Sequence, residues 1–244
     1  MMDWLFDLGN SRLKYAALAG GAPGPMQALA HDGVTAPEQL PRGGTAWLAS
    51  VVPPALAQAL AAALAARFEQ VRQARTLPAL GRLRVAYGEP ARLGVDRFLA
   101  MLGALEAGRG PWLVVGVGTA LAIDALDADG RHLGGRIAPS PTLMRAALHA
   151  RVPHLPPEGG RPVDFAADSA DALASGCEGA ALALVQDSRA RARAAFAAEP
   201  VLLLHGGGAD ALAARLPAAV LRPELVLEGL AAYARLRTEA GEER

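Results

Sequence analysis

The residues best equipped for chemistry open the chain: Asp7, Leu8, Gly9, Asn10, Ser11, Arg12, Leu13 and Lys14 stand in one unbroken run. Gly9 lets the backbone approach a phosphate closely and can adopt a positive φ. N–H groups around such a turn form a concavity suited to an anion. Asp7 could hold Mg2+ directly or through water, because that ion takes oxygen ligands and keeps several waters. Lys14 is the only lysine among 24 basic residues, and its compact ammonium could meet phosphate oxygens as a point charge. The same run also reads as an ordinary hairpin with an Asx turn, and the lysine as an accident of composition.

Three further constellations follow. In Gly94-Val95-Asp96-Arg97, entering an apolar helical segment, the aspartate is either a helix cap or a base beside a guanidinium able to bind a carboxylate. Tyr87, a short loop upstream, could line the same pocket or simply be a half-buried aromatic at a strand end. In Gly116-Val117-Gly118-Thr119, followed by Ile123-Asp124, Thr119 could bond a terminal phosphate through hydroxyl and backbone. The run His205-Gly206-Gly207-Gly208-Ala209-Asp210 marks a strand-to-helix junction. Its glycines would let a flat ring such as adenine lie against backbone, and the helix start favours an anion. A loop needing only freedom explains three glycines as well. The order hairpin, acid–arginine, hairpin, glycine-rich junction is more specific than any one part.

Other chemistries fit poorly. His31, His132, His149, His154 and His205 show no zinc-ligand spacing, and Cys177 is the sole cysteine. There is no G-x-S-x-G and no G-x-x-x-x-G-K-[ST], which excludes a nucleophile elbow and a P-loop. Cys177 lies in an apolar helical segment and reads as a buried, inert thiol.

The elements that must position these residues can be read from apolar runs and breakers. Trp4–Leu8, Leu13–Leu18, Ala46–Val51 and Phe68–Ala74 read as strands, and Ala55–Ala66 as a helix after Pro53-Pro54. Pro90 could start a helix whose apolar face is Arg97–Leu105. A second half opens at Trp112 with strands Trp112–Val117, Leu121–Leu126 and His132–Ile137, separated by Gly118-Thr119 and Asp129-Gly130 turns. Helix Pro141–Ala150, a Pro- and Gly-rich loop Val152–Pro162, and a long helical stretch Ala170–Phe196 interrupted near Gly176 and Gly179 follow. Strand Val201–Leu204, helix Ala209–Leu216 and terminal helix Glu224–Arg237 close the chain. FDLGNSRLKYA and VGVGTALAIDA share a strand–turn–strand form, a weak internal repeat that suggests duplicated domains facing a common cleft.

Composition agrees. The 244 residues suffice for one large domain or two small ones, with Ala, Leu and Val filling the core because aromatics are only 5%. Twenty-four acidic residues balance 24 basic ones, with no basic stripe, so nucleic acid is not an expected partner. No apolar run reaches bilayer length, and the start MMDWLFDLGN lacks the basic region of a signal peptide, so no membrane partner is expected. One cysteine fits a reducing, cytoplasmic setting.

Taken together, the motifs resemble type III pantothenate kinases of the actin-like kinase superfamily. The matching residues are Asp7-Leu8-Gly9-Asn10 with Lys14, Tyr87 with Pro90, and Leu93-Gly94-Val95-Asp96-Arg97. Gly118-Thr119-Ala120 with Asp124, and Gly134-Gly135-Arg136-Ile137-Ala138-Pro139, come next. Asp168-Ser169-Ala170-Asp171-Ala172-Leu173, Ser175-Gly176 and Gly206-Gly207 complete the set. The resemblance implies an α/β fold of two actin-like (ribonuclease H-like) domains with a cleft between them, residues 1–110 and 111–244. The terminal helix is a candidate to pack back on the first domain. It implies a homodimer that phosphorylates pantothenate with ATP and Mg2+, the first step of coenzyme A synthesis. Asp7 to Lys14 and Thr119 would bind ATP phosphates, and Asp96 would be the catalytic base. Tyr87, Gly94, Val95, Asp96, Arg97 and Ser169 would contact substrate, Ser169 standing where the family usually has Thr. Two departures are visible. Gly116 stands where the family often has an Asp serving a monovalent cation, K+ or NH4+, and His205 where Thr is common. Two rivals share the scaffold: a noncatalytic transcriptional accessory factor, and a kinase of another small alcohol.

Overall fold

Apolar strands bounded by glycine and proline build two sheets with the same strand plan. The computed structural model describes residues 1–31 and 39–241. They divide into two units, one of Met1–Arg109, Asp129–His132 and Glu224–Arg244, the other of Gly110–Ala128 and Leu133–Pro223.

In the first unit, β1 (Asp3–Leu8) and β2 (Arg12–Ala19) form an antiparallel hairpin. The short β3 (Ala22–Pro23) and β4 (Gln27–Ala30) both pair with β2. β5 (Gly43–Ser50) joins β1 in parallel, and β6 (Phe68–Gln73) joins β5 in parallel after helix α1 (Pro54–Ala65). Successive side chains of a strand point to opposite faces. Phe6, Leu8, Leu13, Tyr15, Ala46 and Leu48 therefore meet Leu56, Leu60 and Leu64 of α1 in one core. Asp7 and Lys14 point to the opposite face. A small antiparallel pair, β7 (Ala79–Leu80) and β8 (Leu83–Arg84), precedes α2 (Val95–Glu106).

The second unit repeats the plan. β9 (Trp112–Val117) and β10 (Ala120–Leu126) form an antiparallel hairpin, and β11 (His132–Pro139) lies beside β10. α3 (Pro141–Arg151) and α4 (Ser169–Phe196) follow. β12 (Val201–His205) adds to β9 in parallel, and β13 (Ala219–Leu221) to β12 after the short α5 (Ala209–Ala213). The order β11-β10-β9-β12-β13 matches β3-β2-β1-β5-β6 position for position. The faint internal repeat is thus a repeat of architecture. Leu113, Val115, Val117, Leu121 and Ile123 pack on Ala181, Leu182 and Val185 of α4.

The chain ends in α6 (Leu225–Glu239), which packs along α2 in the first unit and against β1 and β5. Glycines permit the close approach of the two helices. A Cβ at Gly103 would fall 2.5 Å from the Leu225 carbonyl oxygen, and one at Gly229 would overlap the Leu99 carbonyl. Tyr233 of α6 meets Trp47 of β5 and Phe98 of α2 edge-on.

The structure corrects several sequence expectations. Pro90 begins only one 3-10 turn, Pro90–Arg92, because Leu93 and Gly94 are extended and α2 starts afresh at Val95. The cap of α2 is Gly94, so Asp96 lies inside the first turn and is not the cap. α4 runs unbroken through Gly176 and Gly179. Each glycine costs about 1 kcal/mol relative to alanine in a helix interior. Burial of Leu173, Cys177, Ala181 and Val185 along α4 offsets that cost. α5 stops at Ala213, where Arg215 and Leu216 N–H groups bond three residues back, tightening the end. The two-residue strands β3, β7 and β8, with β4 and β13, are too short to show a period in the sequence.

Candidate active site

In the first unit the run from Asp7 to Lys14 forms the β1–β2 hairpin and its turn. Asp7 and Lys14 face one another across β1 and β2. The turn between them is closed by the Gly9 N–H donating to Arg12 O at 3.1 Å. Leu8 and Leu13 are fully buried in the core, so only their backbone could face a phosphate. Asn10, Ser11 and Arg12 are exposed. His31 Nε2 sits 2.8 Å from the Gly9 carbonyl and fastens the turn from outside. The peptide is planar, so a fixed Gly9 carbonyl also fixes the direction of the Asn10 N–H.

The start of α2 is held with equal care. Leu93 N–H bonds to Pro90 O at 3.0 Å, and Thr76 Oγ1 donates to Leu93 O at 2.8 Å. Asp96 Oδ1 accepts the Arg97 N–H at 2.8 Å. This carboxylate lies over Gly94, where a Cβ would come within 2.6 Å of Oδ1. Only glycine at 94 leaves Asp96 in this rotamer. The positive end of the helix favours negative charge there. Arg97 is buried, and its Nη1 donates to the Tyr87 hydroxyl at 3.1 Å. Its guanidinium carbon stands 5.8 Å from the Tyr87 ring centre. Tyr87 in turn stacks on His132, with ring centres 6.0 Å apart and planes 17° from parallel.

These two groups sense each other. The Asp7 carboxyl is pushed up to about 6, first by burial and also by the charge of Asp96, while Lys14 pulls it down. Asp7, Lys14 and Asp96 therefore share one electrostatic neighbourhood. α2 brings this about by packing near β5 on the sheet face that carries Asp7.

In the second unit Gly118-Thr119 forms the tip of the β9–β10 hairpin, and Thr119 is exposed. The glycine-rich junction after β12 packs against that hairpin. Gly208 N–H donates to Val117 O at 3.0 Å. Gly206 has φ +94°, and a Cβ on it would fall 2.5 Å from the same oxygen. Hairpin and junction, separate in sequence, are one structure. Gly116 and His205 are opposite each other across β9 and β12, with the imidazole lying over the glycine. Asp124 is buried on β10. Ser169 is the first residue of α4 and exposed, with Asp168 as its cap accepting the Ala170 N–H at 2.9 Å.

Comparison with known proteins shows the family. A family model for type III pantothenate kinase matches residues 4–191. The chain belongs to the type III pantothenate kinase family. A type III pantothenate kinase of Stenotrophomonas maltophilia (strain K279a) is 55% identical over 238 residues, covering 96% of this chain and 98% of its own. One from Xanthomonas campestris pv. campestris (strain B100) is 53% identical over the same shares. Among solved structures, a Campylobacter jejuni protein of the Baf family of transcriptional activators superposes with TM-score 0.65 at 21% identity, over 98% of this chain and 99% of that one. The activator of the 2-hydroxyisocaproyl-CoA dehydratase from Clostridium difficile, with bound ADPNP, gives 0.53 at 12% identity over 100% and 98%. At such identities the structural likenesses speak for the fold alone, which is actin-like.

For this pantothenate kinase, the sequence does not reveal two histidines that meet candidate site residues, His31 at Gly9 and His132 at Tyr87. Neither has a local motif. No signal in the sequence links His31 to Gly9 or His132 to Tyr87, since 22 and 45 positions separate them.

Proposed function

We propose that Asp96 is the base of this pantothenate kinase and that Arg97 and Tyr87 bind the substrate carboxylate. The overall reaction follows from family membership: the chain transfers the γ-phosphoryl group of ATP to pantothenate, the first step of coenzyme A biosynthesis. The pantothenate hydroxyl oxygen attacks the γ-phosphorus, the bond to the bridging oxygen of ADP breaks, and the hydroxyl proton passes to Asp96. Such a transfer needs alignment and charge neutralisation more than covalent help. The observation that carries this reading is the Asp96 carboxylate, seated over Gly94 beside a buried Arg97 and close enough to Asp7 to raise its pKa.

The hairpin from Asp7 to Lys14 and the second unit's Thr119 are assigned to the ATP phosphates. The site fits Mg2+. The described residues contain no cluster of three or more acidic, His or Cys side chains able to hold a metal ion. Asp7 is instead a single, desolvated carboxyl that a cation would keep ionised. An ion held mainly by phosphate oxygens and water needs no more than that, and when bound it offsets phosphoryl charge.

A homodimer is part of the same reading. Along Ala170–Leu184, a stretch apolar enough to suggest a mating face, Leu173, Ala174, Cys177, Ala181 and Leu182 are already buried in the single chain. The support comes from β11 and α3 instead. Ile137 is 64% and Phe165 99% exposed, Leu133, Leu143 and Leu148 are exposed beside them in sequence, and α3 buries no residue. Ile137 and Leu133 on β11, Leu143 and Leu148 on α3, and Phe165 in the loop before α4 are the apolar side chains offered for burial between subunits.

The deciding experiment supplies the purified chain with ATP, Mg2+ and a panel of pantothenate, sugars and small alcohols. ADP release is followed, and the product is weighed by mass spectrometry. Phosphopantothenate from the wild type, and its formation slowed ~10²–10⁴-fold in Asp96→Asn, is the expected result. Turnover of another alcohol in place of pantothenate would overturn the substrate assignment.

A further inference from the structure

We infer that His132, which has no part in the scheme above, is a positioning residue that presets Tyr87, and through it Arg97, for the substrate carboxylate. The inference rests on the reading of Tyr87 and Arg97 as substrate-binding. His132 is 4% exposed, although it opens a strand whose next residue, Leu133, is 49% exposed. Its imidazole stacks on the Tyr87 ring. Its Nδ1 receives the N–H of Ala86, the residue before Tyr87, at a long 3.4 Å. The imidazole thus meets both the side chain and the adjoining backbone of the segment that carries Tyr87.

That segment needs such a support. Tyr87 lies between β8 and the Pro90 turn, outside any regular element. A side chain on irregular backbone has rotamers to lose, and Arg97 depends on it for the hydrogen bond to Nη1. Stacking between aromatic rings removes that freedom in advance. A preset guanidinium then loses less entropy when a carboxylate arrives, which lowers the concentration of substrate needed without touching the chemical step.

The backbone that delivers His132 is built to stay where it is. Gly130 has φ +88°, and a Cβ on it would fall 2.7 Å from Arg82 O. Arg84 N–H donates to Gly130 O at 2.9 Å, and Arg84 and Arg131 form an isolated bridge. The Asp129-Gly130 turn therefore does more than reverse the chain: it seats His132 against Tyr87.

The test compares His132→Ala, His132→Phe and His132→Gln in the full-length enzyme, with Tyr87→Ala, Arg97→Ala and the double variant Tyr87→Ala/His132→Ala. His132→Ala is expected to raise KM for pantothenate about tenfold, with kcat and KM for ATP within about twofold of wild type. Phe keeps the ring and should restore the pantothenate KM; Gln keeps an acceptor without a ring and should not. On the Tyr87→Ala background, His132→Ala should add nothing, because it acts through that ring. Should the alanine variant not fold, the Phe–Gln contrast decides alone. The inference is overturned if Tyr87→Ala raises the pantothenate KM and His132→Ala does not, if Phe is no better than Gln, or if the two alanine effects add in full. If neither Tyr87→Ala nor Arg97→Ala changes the pantothenate KM, the substrate-site reading itself fails, and this inference with it.

Discussion

His205 lies over Gly116: a Cβ at position 116 would fall 2.9 Å from the imidazole Nε2 and 3.0 Å from Cε1. The two positions are register partners on adjacent parallel strands, so a side chain at one must be accommodated by the other. A larger residue at 116 therefore needs a different side chain or rotamer at 205. We expect Gly116→Asp alone to lower both Tm and activity, and Gly116→Asp/His205→Thr to recover stability. With no carboxylate at 116, turnover should respond little to K+ or NH4+, measured in Tris by KCl titration against choline chloride. Large saturable activation of the wild type by K+ would show that other groups build a cation site.

Asp96→Asn should lower kcat by ~10²–10⁴, the usual loss of a general base. The amide can still accept the Arg97 N–H that Asp96 Oδ1 accepts now, so folding and ATP binding should persist. Calorimetric ATP affinity near wild type with turnover lost is the expected pair of results. Near-normal turnover would return Asp96 to a structural part in the helix start.

Lys14→Arg is expected to be far from conservative. Lys14 stands opposite a half-buried, desolvated carboxyl, and a guanidinium is broader, with directed donors. It would pair with Asp7 through two donors and withdraw charge from the phosphates. Steady-state kinetics should show a rise in KM for ATP and a fall in kcat together; unchanged kinetics would leave the lone lysine without a role.

Asp7 links stability to pH with a definite sign. Its carboxyl rises from an ordinary 3.8 to about 6 on folding. Between those values the folded state binds more protons than the unfolded one, so this group's contribution falls as pH rises through about 6. Asp7→Asn should accordingly raise Tm at pH 7.5 relative to wild type, less so near pH 4.5, while abolishing phosphoryl transfer. Parallel melting curves for the two proteins across that range would remove the buried-acid account.

Polar substitution of exposed apolar side chains tests the proposed dimer. Ile137→Asp with Phe165→Ser is expected to give a monomer by sedimentation at micromolar concentration, with thermal stability nearly kept because both side chains are exposed. A wild type already monomeric and fully active would rule out the assembly.

Much of this protein is local and so could be read from residue order alone. Strands such as Trp112–Val117 announce themselves by apolar runs, and the Gly9-Asn10 and Gly118-Thr119 turns by residue types that few other backbones suit. The motifs also carried the family and the reaction, because a phosphate turn, an acid beside an arginine and a glycine-rich junction each occupy a few consecutive positions. What tertiary structure alone decided are relations across long separations. Asp7 meets the field of Asp96 because α2 packs near β5; Arg97 is held by Tyr87 and Tyr87 by His132; His205 covers Gly116 because β12 pairs with β9 in parallel. α4 passes two glycines because its buried face outweighs local propensity. Propensity acts between neighbours in the chain, whereas burial, stacking and charge act between neighbours in space, and only folding makes the second set known.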